Sequence, residues 1–384
     1  MQQLILNKIG PCTSVYALED NVLCEMYEEN LDKKSTLGNI YRGRVEDIVN
    51  GMQAAFIDIG LEKKAFISTK DAMKKVDVTK EELDVTTKMS DVLKQKQSIM
   101  VQVKKEPTGE KGARVSTHIT LPGKYVVLMP ETDIITVSQK IENEEEIKRL
   151  KNIAKRTLNG KFGIIIRTDA EGLDDKTIEK DIKNVISTWN DIKLRMNIGS
   201  EIGVLYDDNS IVNKALRDIA NKTTERIFVN AKEIYDEVIE KLPDIECVFY
   251  ENIDLINQLG LETEISKAKE RKIWLKHGGQ IVIDKTEALT AIDVNSSKYT
   301  GSKDLESTTL SVNLEAAIEV MKQIRLKDIG GIIVVDFIDM KDKEHQSQIL
   351  KLMRNEAKKD RSKVDIREFT ELNLVELTRK KMYI

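Results

Sequence analysis

From Arg325 to Met340 the chain reads RLKDIGGIIVVDFIDM: the end of a helix, two glycines, then four consecutive β-branched residues that close on Asp336. A run apolar at every position marks a strand covered on both faces and predicts an α/β layered domain. Upstream, GQIVIDKTEALTAIDVN reads as a strand, followed by a helix in which Leu314, Ala317, Ile318, Met321 and Ile324 form one stripe. Gly330 and Gly331 end that helix. Downstream come a helix around 346–359 and a last strand and helix through VDIREF and NLVELTRKK.

The residues best suited to chemistry lie in this region. Asp293 and Asn295 are two apart on a strand, so both side chains leave one face. Asp336 ends what should be the neighbouring parallel strand, where an unpaired carboxylate must face solvent, a hydrogen-bond donor or a metal. Two carboxylates and an amide without a nearby His or Cys form a hard oxygen set, suited to Mg2+ or Mn2+ and not to zinc. The plainer alternative is that these acids cap helices or turns. Asp339 and Glu287 are weaker candidates for the same metal or for support around it. His118, His277 and His345 lie in unrelated contexts, which argues against Ser-His or Cys-His nucleophilic chemistry.

Between about 37 and 121 the pattern is one of short alternating strands with glycine turns, predicting a small all-β barrel with a charged insertion at 71–93. Residues 36–121 carry 15 Lys and Arg against 12 Asp and Glu, a local positive excess. Phe56 and Phe66 fall on adjacent predicted strands, and Lys111 lies in the loop TGEKGAR. Aromatic faces beside cations on such a barrel hold single strands by stacking and phosphate contacts; the alternative is that both Phe rings are core.

From 122 onward strands and helices alternate. The strand KYVVLMP precedes a helix that keeps Ile147, Leu150, Ala154 and Leu158 in register. After FGIIIR, Asp174 or Asp175 can cap a helix whose Ile178, Ile182, Val185, Trp189 and Ile192 share a face. Arg167 and Thr168 end the strand FGIIIRT, where a guanidinium and a hydroxyl can grip a terminal phosphate, although a lone arginine is more often in a surface ion pair. Two more helical stretches are predicted over 212–242 and 262–276, the first followed by the strand IECVFY. The N-terminal 35 residues read as strands in need of partners, and a discontinuous domain with the barrel inserted would supply them.

A length of 384 residues suggests two to three domains, and 40% hydrophobic against 33% charged residues with 5 Pro is a folded composition. No apolar stretch approaches the ~18 residues that cross a bilayer. The start MQQLILNKIG lacks a charged leader with an apolar core, so a cytoplasmic protein is expected. Cys12, Cys24 and Cys247 show no CxxC spacing, so reduced structural thiols are expected in place of a disulfide framework or a thiolate zinc site. A net charge of -4 excludes a uniformly basic coat, so any polyanion site must be local.

The runs GNIYRGRVEDIVNGMQAAFIDIG, EKGARVSTHITLPGKYVVLMP, FGIIIRTDAEG, TEALTAIDVNS and RLKDIGGIIVVDFIDM occur in this order. Together they resemble the catalytic half of the bacterial ribonuclease E and G family over nearly the full chain. The resemblance implies an α+β and α/β multidomain fold. Its parts would be a ribonuclease H-like structural domain over 1–35 and 215–279, an S1-type OB barrel over 36–121, a 5′-phosphate sensor over 122–214 and a DNase I-like catalytic domain over 280–384. It implies an endoribonuclease that cuts single-stranded RNA, favours 5′-monophosphorylated substrates and leaves 5′-phosphate and 3′-hydroxyl ends without a covalent intermediate. Such an enzyme would act on rRNA precursors and mRNA, in rRNA processing and mRNA decay. By the same resemblance Asp293 and Asp336 hold Mg2+ (or Mn2+), and Asn295 supports them or the scissile phosphate. The cation would acidify a bound water and polarise the phosphoryl oxygens. Phe56, Phe66 and Lys111 match RNA-holding positions of the barrel, and Gly123, Val127, Arg167 and Thr168 match the 5′-monophosphate pocket. Lys363 stands where the family tends to have an arginine completing that pocket.

Two departures stand out. The family's catalytic domain is followed by a CPxC-type zinc link and a small oligomerisation domain, whereas this sequence stops at TRKKMYI. The expectation is therefore a monomer or weak dimer without zinc. Asp169 occupies a position beside the sensor pair where a small neutral residue is usual, and like-charge repulsion there would weaken the preference for a 5′-phosphate. The competing expectation is a non-hydrolytic S1-type RNA-binding or ribosome-associated protein, for which the barrel and Lys111 would suffice. A phosphoesterase acting on other substrates would leave the barrel without a purpose.

Overall fold

The computed structural model describes residues 1–29, 35–73, 87–107, 109–208, 210–276, 278–296 and 305–382. Residues 74–86 of the expected charged insertion, and His277, lie outside the described residues. The chain divides into two units, Met1–Leu31 with Thr223–Ile384, and Asp32–Lys222.

In the first unit Gln2–Ile9, Cys12–Glu19 and Val22–Glu28 form an antiparallel meander. Gln2–Ile9 also runs parallel to Thr224–Val229, which in turn runs parallel to Glu246–Phe249. The N-terminal strands thus find their partners in a segment more than 190 residues away. That pairing breaks the helix expected over 212–242. Helical structure stops at Ile219, TERIFV forms the strand Thr224–Val229, and a helix resumes only at Lys232–Lys241. Thr, Ile, Phe and Val favour a pleated, buried position in a sheet over a helix surface. The helix expected over 262–276 likewise ends at Lys269 and gives way to the strand Lys272–Trp274.

A second sheet in this unit has the spatial order Lys272–Trp274, Gly279–Lys285, Thr290–Ser296, Gly331–Asp336, Leu374–Arg379 and Val364–Phe369. The single strand expected over 279–295 is a hairpin, closed where the Thr286 amide donates to the Leu289 carbonyl at 2.9 Å. NLVELTRKK is a strand and not a helix. Val375 and Leu377 are buried while Glu376 and Thr378 are exposed, and Arg379 is buried by ion pairs to Asp328 and Asp360, each at 2.7 Å.

One face of this sheet packs Ile292, Val294, Ile333 and Val335 against the helices Leu305–Leu326 and Lys343–Ala357. Each such side chain contributes about 1.5–3 kcal/mol of burial. Among the described residues the other face is open around the strand Gly331–Asp336, where Ile332 is 52% exposed although Val282 on the same face is buried, so IIVV is covered on one side and not on both. In the helix Leu305–Leu326, Ile318 is 44% exposed and stands outside the buried stripe. The meander is tied to that helix by Glu25, 2% exposed, which accepts from Arg325 Nε at 2.9 Å and from Arg361. Burial pushes the Glu25 carboxyl up, but the two guanidiniums outweigh it and hold it below the usual range.

The second unit holds a closed barrel. Ile40–Val49 pairs with Ala54–Asp58, then Ala65–Ser68, Arg114–Ser116 and Ser98–Lys105 follow, and the last returns to Ile40–Val49. The contact between Ala65–Ser68 and Arg114–Ser116 is parallel and the rest antiparallel, an OB-like arrangement. Gly203–Tyr206 adds to one edge of Ile40–Val49.

A four-stranded sheet built on Val126–Met129 and Gly163–Ile166 carries the helices Glu144–Leu158 and Asp175–Ile198. Asp174 caps the longer helix by accepting from the Thr177 amide, and the predicted stripe Ile178, Ile182, Val185, Trp189 and Ile192 is buried. Arg42 fastens the barrel to the end of this helix by donating to the Met196 carbonyl at 2.8 Å, with its charge at the negative helix terminus. Among the described residues no helix is long and apolar enough to cross a membrane.

Candidate functional site

Asp293 and Asp336 are direct register partners on the adjacent parallel strands Thr290–Ser296 and Gly331–Asp336. Both project from the open face and are exposed. Their backbones are therefore about one inter-strand spacing, ~4.8 Å, apart. Asn295, on the same face, donates its amide to Asp293 Oδ2 and orients that carboxylate. Partial burial, then the charges of Asp293 and Asp339, push the Asp336 carboxyl above its usual range. Asp339 is also hydrogen-bonded by Asn373 Nδ2 at 3.2 Å. Glu287 lies in the hairpin turn at the other end of the strand, so it is not brought to the pair.

This oxygen-only set, with negative charge concentrated on an open surface, fits a hard divalent cation that keeps several of its own waters. Among the described residues no group of three or more His, Cys, Asp or Glu is placed to hold a metal.

On the barrel, Phe56 and Phe66 face each other across antiparallel strands, ring centroids 6.2 Å apart and edge to face at 72°. Their neighbours Ala55, Ile57, Ala65 and Ile67 fill the core, so the alternation turns both rings outward and half-exposes them. Lys111 is exposed on the loop leading into Arg114–Ser116. That loop is pinned at Gly112, where a Cβ would come within 1.9 Å of the Lys64 carbonyl oxygen. Arg114 sits opposite Phe66 and is held by Asp71 at 2.7 Å. Its outward position in GARVS was the available sequence signal for a cation beside the rings.

The residues expected at a 5′-phosphate pocket are placed as follows. Gly123 is buried, and a Cβ there would lie 2.7 Å from Asp181 Oδ2, so only glycine fits. Asp181 accepts from the amides of Tyr125 and Val126 at 2.8 and 3.1 Å, though burial still pushes its carboxyl up. Arg167 donates through Nη1 to the Gly123 carbonyl at 2.9 Å and to Asp218 at 2.7 Å. Asp218 also pairs with Arg217 at 2.8 Å. Burial raises the Asp218 carboxyl, but Arg217 and Arg167 outweigh it and leave it below the usual range.

Beside them Lys124 donates to the carbonyls of Leu216 and Ala220, and burial pushes its ammonium down to about 8 against the charge of Asp169. Thr168 shares a hydrogen bond with Ser138 at 2.8 Å. Val127, paired with Ile165, stands on the outward face of the sheet. Lys363 belongs to the other unit, just ahead of Val364–Phe369, with its ammonium 3.2 Å from Asp365. No local pattern announces the contact of Asp181 with Tyr125 or of Asp218 with Arg167, because each spans more than 50 residues of sequence.

Residues 120–382 match the model of the ribonuclease E/G family. Ribonuclease G of Escherichia coli (strain K12) is 35% identical over 389 residues, covering 99% of this chain and 80% of the relative. Ribonuclease G of Haemophilus influenzae is 36% identical, over 99% of this chain and 79% of the relative. Ribonuclease E of Buchnera aphidicola subsp. Schizaphis graminum is 33% identical over all of this chain and 40% of its own length. The chain belongs to the ribonuclease E/G family.

Proposed function

We propose that this chain is a Mg2+-dependent endoribonuclease that cuts single-stranded RNA, favours 5′-monophosphorylated substrates and serves rRNA processing and mRNA decay in the cytoplasm. Family membership supports the reaction class. The observation that carries the site assignment is the pair Asp293 and Asp336, opposed in register on an open face.

In this reading Asp293 and Asp336 hold the cation and Asn295 keeps the Asp293 carboxylate turned toward it. A divalent ion at this place supplies positive charge to the phosphoryl oxygens and lowers the pKa of water. A water oxygen bonds to phosphorus and gives up a proton to solvent while the bond from phosphorus to O3′ breaks and O3′ takes up a proton, which leaves a 5′-phosphate and a 3′-hydroxyl. The rings of Phe56 and Phe66 stack bases, with Lys111 and Arg114 beside them for phosphates. Arg167, Lys124 and Thr168 receive the terminal phosphate, and Gly123 lets the backbone lie close against Asp181. The barrel is read as S1-type, the sheet of the N-terminal meander as ribonuclease H-like, and the sheet bearing the acids as DNase I-like, in a monomer or weak dimer.

The test is cleavage of a 5′-monophosphorylated, AU-rich oligonucleotide in Mg2+. Asp293→Asn or Asp336→Asn is expected to lower the rate by at least about 10²–10³-fold, the scale of losing one preorganised electrostatic contact, while RNA binding stays within a few fold. EDTA should abolish cleavage by the parent. Parent-like cutting by both variants would remove the assignment. A second reading, an RNA-binding protein without hydrolysis, draws on the exposed aromatic pair of the barrel, and binding without EDTA-sensitive cleavage would favour it.

A further inference from the structure

The strand Lys272–Trp274 forms the edge of the sheet that bears the acids. Register across the sheet aligns two rows on its open face. Trp274 pairs with Gln280 and Gln280 with Asn295; Lys272 pairs with Val282, Val282 with Asp293, and Asp293 with Asp336. Lys272 and Trp274 therefore share a face with the three candidate active-site residues, two strands from Asp293 and Asn295 and three from Asp336. Two strand spacings put their backbones about 10 Å from those of Asp293 and Asn295, within reach of a nucleotide flanking a phosphate held at the acids.

The fold makes no use of the Trp274 ring. Ile273, the residue between, is the one that packs on the core, whereas Trp274 is 67% exposed. A large ring left in water beside a charged site is the informative departure from ordinary burial. An aromatic face alternating with a cation along one strand face is also the arrangement that grips single-stranded nucleic acid without reading sequence. Lys272 supplies that cation and is exposed.

Building on the active-site assignment above, we propose that Trp274 stacks a base adjacent to the scissile phosphate while Lys272 contacts a neighbouring phosphate. This edge strand is then a second RNA-holding element, separate from the barrel and attached to the acids by the sheet itself.

The chain has two tryptophans, and Trp189 is only 4% exposed, so acrylamide quenching of intrinsic fluorescence reports mainly on Trp274. In an Asp336→Asn background, which keeps the probe intact, a 5′-monophosphorylated AU-rich oligoribonucleotide should protect that fluorescence from acrylamide. In the otherwise wild-type chain, Trp274→Ala should raise KM by about 10-fold, the scale of one lost base stack, with a smaller effect on kcat. Trp274→Phe should recover most of the loss and Trp274→Leu should not, which separates a π-face from mere bulk. Lys272→Ala should flatten the salt dependence of binding by roughly 0.7 in slope, one phosphate contact on a single strand.

Unprotected fluorescence together with an unchanged KM in Trp274→Ala would overturn the proposal. Fluorescence that becomes protected on raising protein concentration without RNA would also overturn it, by making this face an interface between copies. Neither result touches the acids: their assignment fails only if Asp336→Asn cuts like the parent.

Discussion

The charged clusters around Arg167 and around Asp336 are built on opposite principles. Around Arg167 the guanidiniums are matched by carboxylates inside the protein: Arg167 and Arg217 share Asp218, and Arg217 also holds Asp208 at 2.8 Å. Around Asp336 like charges are gathered without a cation among the described residues, and partial burial, then the charges of Asp293 and Asp339, push the carboxyl above its usual range. A matched cluster contributes to folding and responds to a ligand only by exchanging partners. An unmatched one costs stability and is relieved by a ligand of opposite sign.

The largest effect expected from this contrast is on folding. Asp218→Ala takes from Arg167 its carboxylate partner and from Arg217 one of two, in a largely buried setting, and should destabilise the chain by about 3 kcal/mol in urea unfolding, at the lower end for breaking a buried pair. Asp336→Asn should leave the melting temperature equal to or above that of the parent, because it removes repulsion and no partner. A clear loss of stability in Asp336→Asn would mean that the acids are structural and would erase the distinction.

Next in size is the end preference. The parent should cleave 5′-monophosphorylated RNA several-fold faster than the 5′-hydroxyl form, and Arg167→Ala should equalise the two rates. Equal rates already in the parent would show that Asp218 keeps the guanidinium to itself. The smallest effect is in pH. Lys124 carries its charge below about 8 and loses it above, so the ratio of 5′-phosphate to 5′-hydroxyl rates should fall two- to three-fold as pH rises from 7 to 9. Taking the ratio cancels any titration of the chemical step common to both substrates.

The same site bears on stability with a definite sign. Lys124 is depressed relative to the unfolded chain, so the unfolded state binds the extra proton between about 8 and the ordinary lysine value of 10.5. The parent should therefore gain stability relative to Lys124→Met as pH rises through that window, and the cost of burying the charge is fully felt below it.

What the sequence disclosed follows the same division. Local signals sufficed where one face decides the structure. The stripe Ile178, Ile182, Val185, Trp189 and Ile192, with its Asp174 cap, is buried as its spacing requires. The alternation around Phe56 and Phe66 fixes their shared outward face once the strands are known, although sequence alone left core and surface open. Local signals misled where a distant partner rewrites the pattern. NLVELTRKK has charges at helix-compatible spacing, but Arg379 is buried by Asp328 and Asp360, which makes the period two. TERIFV was hidden between two helices until its pairing with the N-terminal strand was in view. IIVV suggested cover on both sides because every residue is apolar, whereas the open side is the one that carries the acids. The carboxylates were legible by residue type and spacing; the lock on Arg167 and the ring of Trp274 over the same face as the acids were not, since both depend on register across strands or on contacts far apart in sequence.

Catalysis at this face requires that Asp293 and Asp336 jointly bind one hard divalent cation. Titrating Mn2+ into the full chain without RNA, followed by the loss of free-ion electron paramagnetic resonance signal, measures that directly. The prediction is a site in the parent that is lost or greatly weakened in Asp293→Asn and in Asp336→Asn and unaffected by Arg167→Ala. Unchanged Mn2+ stoichiometry and affinity in the doubly substituted chain would contradict it.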